Sequence, residues 1–103
     1  GGSKEQMGHA CAMALKNLMG LVCDPVAGLV EVPCVKRNVG GAVNALAAAD
    51  MALAGIASHI PVDQVIDAMG EVGMKMDVSL RETSMGGVAT SPKGLEIAER
   101  LGM

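Results

Sequence analysis

Two cysteines, Cys23 and Cys34, stand at the ends of the segment CDPVAGLVEVPC with ten residues between them. Thiolates are the natural ligands of soft metal centres and iron–sulfur clusters. Asp24-Pro25 and Gly28 give the intervening stretch turn chemistry, and a loop of that kind can fold so that its ends converge. A helix is predicted to begin at Pro33 or a few residues later. Cys34 then falls in a first turn, where unpaired backbone N–H groups and the helix dipole favour an anionic sulfur. Lys36 and Arg37 add positive charge close by. The alternative is a pair of buried small hydrophobes, the ordinary behaviour of free cysteine. Spacing does not decide between them, because ten intervening residues match none of the short-spaced zinc or ferredoxin patterns.

Other chemistry-bearing residues form weaker constellations. His9 and Cys11 are two residues apart on a predicted helix and point about 200° from one another, so they do not aim at one ion. Cys11 falls on the predicted apolar stripe and is expected to be a core residue, whereas His9 is expected at a surface or interface. Arg37 and Asn38 could face a substrate carboxylate, with helix-surface or capping roles as the alternative. Arg81 and Glu82 are expected to form a structural ion pair. The chain contains no phosphate-binding loop with its lysine, no HExxH and no nucleophile elbow, and Gly40-Gly41 and Gly86-Gly87 are too generic to mark a site.

The elements that must position these residues read as helices. Ser3 and Gln6 have capping-box spacing, and Met7, Cys11, Ala14, Leu15 and Leu18 recur at helical intervals. This predicts a helix over residues 4–19, ended by Gly20, with Glu5, His9 and Lys16 on its solvated side. A second helix is predicted to run to about Ser58. Eleven of the nineteen residues from Val39 to Ala57 are Gly or Ala, which predicts a central helix crowded by close neighbours. A third helix is expected over 62–76, with Val62, Val65, Ile66, Met69, Gly73 and Met76 near one face, then a brief helical turn and loop over 78–90. A last helix opens at Ser91-Pro92, an N-cap followed by proline at the first helical position. The fold class is all-α, a bundle-like arrangement with the Cys-bearing loop between its first two helices.

Composition narrows the function. The 103 residues carry eight Lys and Arg against eleven Asp and Glu, which leaves no basic face for nucleic acid. The most apolar stretch is interrupted by Asn44 and Asp50, so no membrane span is predicted. Three cysteines in no framework pattern point to a reducing cytoplasm. Half the residues are apolar, yet Phe, Tyr and Trp are all absent and nine Met take part of their place. Such a core is expected to lean on neighbouring protein, and a start at Gly1-Gly2-Ser3 suggests one piece of a longer chain.

The segment NLMGLVCDPVAGLVEVPCVKRN, residues 17–38, resembles the cysteine-bearing segment of the α subunit or α domain of bacterial iron–sulfur-dependent L-serine dehydratase (L-serine ammonia-lyase). The flanks GGSKEQMGHACAMALKN, AVNALAAADMALAG, IPVDQVIDAM and SLRETSMGGVATSPKG extend the likeness over essentially the whole chain. The resemblance implies that residues 1–103 are the C-terminal portion of the α domain. It implies a [4Fe–4S] cluster held by three cysteines, Cys23 and Cys34 being two of them and the third lying upstream, at a position to which Cys11 does not correspond. It further implies conversion of L-serine to pyruvate and ammonia without pyridoxal phosphate, within amino-acid degradation and gluconeogenesis. The cluster iron is then a Lewis acid for the β-hydroxyl, and a protein base outside this chain removes the α-proton. Arg37 and Asn38 become candidates for the substrate side. The implied partners are the upstream α segment and a β subunit in an oligomer. A related cysteine-desulfidating enzyme, or a non-catalytic helical assembly module, are the alternatives.

Overall fold

The structure, a computed structural model, describes residues 1–22, 25–29 and 32–102, without the side chains of Val32, Pro33 and Cys34. Among these residues stand α-helices α1 (Lys4–Leu18), α2 (Val32–Leu53), α3 (Val62–Lys75) and α4 (Pro92–Arg100), and no strand. The all-α expectation is met. Residues 23, 24, 30 and 31 of the loop between α1 and α2 lie outside the described residues. None of the described helices is long and apolar enough to cross a membrane. The chain divides into two units, Gly1–Gly20 with Val39–Met74, and Leu21–Asn38 with Lys75–Met103.

In the first unit the capping box forms as its spacing predicts. Ser3 Oγ accepts from the Gln6 N–H at 3.1 Å, and Gln6 Oε1 accepts from the Ser3 N–H at 2.9 Å. Gln6 Nε2 also donates to the Ala52 carbonyl in the last turn of α2 at 3.4 Å, so the cap fixes a neighbour as well as a helix end. Asn44 in the middle of α2 donates to Ala14 O at 3.0 Å and accepts from Asn17 Nδ2 at 2.9 Å. The side chains buried here are Ala12, Ala48, Ala52 and Val65, with Ser58. Small residues let backbones come close, and hydrogen bonds between helices supply what alanine area does not.

Several expectations are corrected here. The buried residue of α1 is Ala12, while Met7 is 60% exposed and Cys11 is exposed rather than core. His9 and Lys16 both bond to Ser58; Lys16 stays exposed as the hydropathy pattern places it, while His9 is half-buried. Helix α2 stops at Leu53, before Ser58, because Gly55 takes a φ of 91° and closes a Schellman motif: Ile56 N donates to Met51 O and Gly55 N to Ala52 O, each at 3.0 Å. Nor is α2 crowded on all sides, since Val39, Val43 and Leu46 are open. Of the face predicted for α3, Val65 is buried but Ile66 and Met69 are open to solvent.

The second unit is built from short pieces. Val26 and Leu29 flank a tight turn, Leu29 N donating to Val26 O at 2.8 Å, and positive φ at both Ala27 (52°) and Gly28 (76°) is the signature of a type I′ turn. The predicted turn after α3 is a 3-10 turn, Val78–Leu80, capped by Asp77, whose Oδ2 accepts from the Ser79 N–H at 2.9 Å. The Ser79 hydroxyl and then its N–H hold the Asp77 carboxyl below its ordinary value. The ionised cap therefore persists at neutral pH and is lost as pH falls through that lowered value. A second 3-10 turn, Gly87–Thr90, leads to Ser91, which accepts from Gly94 N at 3.1 Å and caps α4 as predicted. Val26 and Ala89 are buried, as is Gly94. Five methionines, Met7, Met51, Met69, Met74 and Met85, are each at least 41% exposed, and no buried side chain among the described residues contains sulfur.

Three consequences can be measured by denaturant unfolding. A Cβ at Gly94 would lie 2.6 Å from Val88 O and 2.8 Å from Ala89 O, both backbone atoms, so Gly94→Ala should cost about 1–3 kcal/mol. A Cβ at Gly40, inside α2, meets nothing within 4 Å. Gly40→Ala should therefore stabilise the protein by about 0.4–1 kcal/mol. Asn44→Ala deletes both bonds to α1 and should cost about 1–3 kcal/mol, with Asn44→Asp at least as damaging because it sets a carboxylate against the Ala14 carbonyl.

Candidate functional site

Helix α2 begins at Val32, one residue before the predicted Pro33, so Cys34 is its third residue and lies in its first turn. Cys23 lies outside the described residues, and Cys34 is placed by its backbone alone. What brings their chain segments together is Arg37. Its Nη1 donates to the carbonyl of Val22, the residue immediately before Cys23. One turn of α2 is thereby tied to the start of the loop. A guanidinium has five N–H donors, so this bond leaves others for an anion. Asn38 is exposed on the next position and has a partner of its own.

A further tie comes from the other half of the same unit. Ser84 Oγ donates to the Pro25 carbonyl, so residues flanking Cys23 on both sides are held by side chains distant in sequence. Nothing local in the sequence marks Ser84 for this role. Around it the backbone is unusual: Ala27, Glu82 and Ser84, the non-glycine residues with positive φ among the described residues, all lie in this unit. Such conformations cost about 1–3 kcal/mol each and persist where surrounding structure imposes them, most often at functional sites. Arg81 donates from Nε to Met76 O at 2.7 Å and Thr83 Oγ1 to Val78 O at 2.8 Å, which pins the segment. Arg81 and Glu82, expected to pair, are both exposed on this segment. On α4, Glu96 meets Lys93 at 3.1 Å and Arg100 at 2.8 Å.

The first unit holds a separate polar cluster. Ser58, 8% exposed, donates from its N–H to His9 Nδ1 at 3.1 Å, from Oγ to Ile60 O at 2.7 Å, and accepts from Lys16 Nζ at 2.7 Å. With Nδ1 accepting, a neutral His9 carries its proton on Nε2. The hydroxyl proton of Ser58 goes to a carbonyl and not to a base, so this serine is a structural hub and no activated nucleophile. Beside it lies a cleft of ≈ 410 Å³ lined by Met13, Lys16, Asn17, Asn44 and Met51. Cys11 takes no part in either cluster. No group of three or more His, Cys, Asp and Glu suited to a metal occurs among the described residues.

Residues 1–89 match the family described as serine dehydratase alpha chain. The chain is 61% identical over 101 residues to a probable L-serine dehydratase alpha chain of Bacillus subtilis, covering 98% of this chain and 34% of that one. It is also 61% identical over 97 residues to a probable L-serine dehydratase alpha chain of Latilactobacillus sakei, with 94% and 46% covered. L-serine dehydratase 1 of Escherichia coli is 47% identical over 90 residues, with 86% and 20% covered. The chain thus spans less than half the length of these relatives. With the matched residues running from α1 through both ties that hold the Cys-bearing loop, the chain belongs to the serine dehydratase alpha chain family.

Proposed function

We propose that this chain is the part of an iron–sulfur L-serine ammonia-lyase that contributes Cys23 and Cys34 as two of the three thiolate ligands of a [4Fe–4S] cluster. The whole enzyme converts L-serine to pyruvate and ammonia without pyridoxal phosphate. The observation that carries the reading is the bond from Arg37 to Val22 O, which draws the turn of α2 that bears Cys34 toward the residue before Cys23. The donor set fits: two cysteines, one of them in a helix first turn with Lys36 and Arg37 next along the chain, favour the anionic sulfur that iron takes. When bound, such a cluster supplies a Lewis-acidic iron for the β-hydroxyl of serine. The chain's own residues hold the loop and offer charge. Ser84 and Arg37 fix the backbone on either side of Cys23, and the remaining Arg37 donors with the Asn38 amide face the serine carboxylate. The third thiolate and the base that removes the α-proton come from the rest of the α chain, assembled with a β subunit in the cytoplasm.

The test is anaerobic reconstitution of the full-length α chain, together with the β subunit, with iron and sulfide, followed by iron content, visible absorption and pyruvate release from L-serine. Cys23→Ala and Cys34→Ala should each abolish cluster and pyruvate, and Cys11→Ala should spare both. A Cys34→Ala protein that keeps its iron and its rate defeats the assignment. Ser84→Ala, which removes the tie to Pro25 O, should leave the ligands intact but shed iron faster by severalfold, as expected for losing about 0.5–1.5 kcal/mol of loop restraint.

A further inference from the structure

Helix α2 is apolar on two opposite sides. At about 100° per residue, Val39, Val43, Leu46 and Leu53 fall within an arc of about 80°, on the side away from Ala48 and Ala52. The two alanines are buried at 3% and 2% exposure, while the four larger residues stand open at 63%, 61%, 69% and 55%. No charged residue occurs from Asn38 to Ala49, and Asp50 is the one charge in the stripe. At the end of the stripe a notch of ≈ 110 Å³ opens between α1 and α2, lined by Met7, Ala10, Ala49 and Leu53 among others. A helix apolar on all sides belongs in an interior, and this one has an interior on one side only.

The relatives indicate what covers the other side. Nearly all of this chain, 98%, corresponds to 34% of the B. subtilis α chain, so about two thirds of such a chain lies outside the described segment. We infer that the Val39–Val43–Leu46–Leu53 face is the docking surface for that remainder. Its occupant is a helix with an apolar stripe of its own and a Lys, Arg or amide side chain opposite Asp50. The size of the face favours this occupant over a second copy. The stripe is about 21 Å long, from fourteen rises of about 1.5 Å, and one such helix contact falls well short of the ~1,200–2,000 Å² that stable association of separate proteins uses. A segment of the same chain needs no such area, because covalent linkage supplies its effective concentration. The inference rests on this chain being part of a longer α chain, as the proposed function holds.

The experiment places a cysteine at Leu46, and separately at Val43, in the full-length α chain and in the 103-residue chain. Modification by N-ethylmaleimide is followed peptide by peptide, with Glu99→Cys as the exposed reference. In the full-length chain both stripe cysteines should react about tenfold or more slowly than the reference, and in the 103-residue chain near the reference rate. Reaction at the reference rate in the full-length chain overturns the inference. So does protection in the 103-residue chain that grows with concentration, which would mean a second copy, or protection that requires added β chain. Iron content and pyruvate release by the unsubstituted α chain are read separately. Failure of the functional reading shows in those two values, and failure of the docking surface shows in the labelling.

Discussion

Helices that meet through alanine gain little by burial and must be held by something else. In the first unit three of the four buried apolar side chains, Ala12, Ala48 and Ala52 beside Val65, are alanine, and no aromatic ring exists anywhere in the chain to add area. Buried apolar surface stabilises at roughly 25 cal/mol per Å², so an alanine interface leaves the relative register of its helices weakly specified. Three side-chain ties supply the register: Gln6 to Ala52 O, Asn44 to Ala14 O and Asn17, and Ser58 to His9 and Lys16. Each is directional, and each joins positions at least 27 residues apart. Close approach and polar specification go together, because short side chains let a backbone carbonyl on one helix come within reach of an amide on the next.

The second unit solves a different problem. Its task is to hold a loop whose backbone takes left-handed conformations at residues that disfavour them, and it does so with one-sided bonds from Arg37, Arg81, Thr83 and Ser84 to backbone carbonyls. A guanidinium or hydroxyl that bonds a carbonyl fixes the chain without depending on what occupies the neighbouring side chains. Val22 and Pro25, on the two sides of Cys23, are thereby held by residues other than the cysteines.

Much of this was legible in the sequence, and the rest was hidden for physical reasons. The all-α class, the Ser3 and Ser91 caps, the turn at Asp77–Leu80 and the placement of Cys34 in a first helical turn rest on local rules, which act within a few residues and survive folding. The end of α2 was missed because Gly55 sits in a run of small residues where several positions could equally close a helix. The sidedness of α1 is only partly legible: Glu5 and Lys16 are exposed as expected and Ala14 and Leu15 half-buried, but the buried position is Ala12. Hydropathy put Met7 and Cys11 inside, but tertiary hydrogen bonding to Ser58 selected the face with His9, Ala12 and Lys16. The roles of Ser84 and Ser58 had no local signature, since their partners are 59 and 42 to 49 residues away. Asn44 offered the one readable hint, an amide in an apolar run that demanded a partner.

The distribution of methionine carries a chemical consequence. Oxidation of a thioether to its sulfoxide turns an apolar side chain into a polar one, and it starts where the sulfur meets solvent. Here the open sulfurs are those of Met7, Met51, Met69, Met74 and Met85, whereas the buried set of Ala12, Val26, Ala48, Ala52, Val65 and Ala89 is pure hydrocarbon. Oxidants therefore change the surface before the interior. Oxidation of this kind makes the surface more polar while the hydrocarbon set inside keeps its contacts, so the surface changes before the chain unfolds.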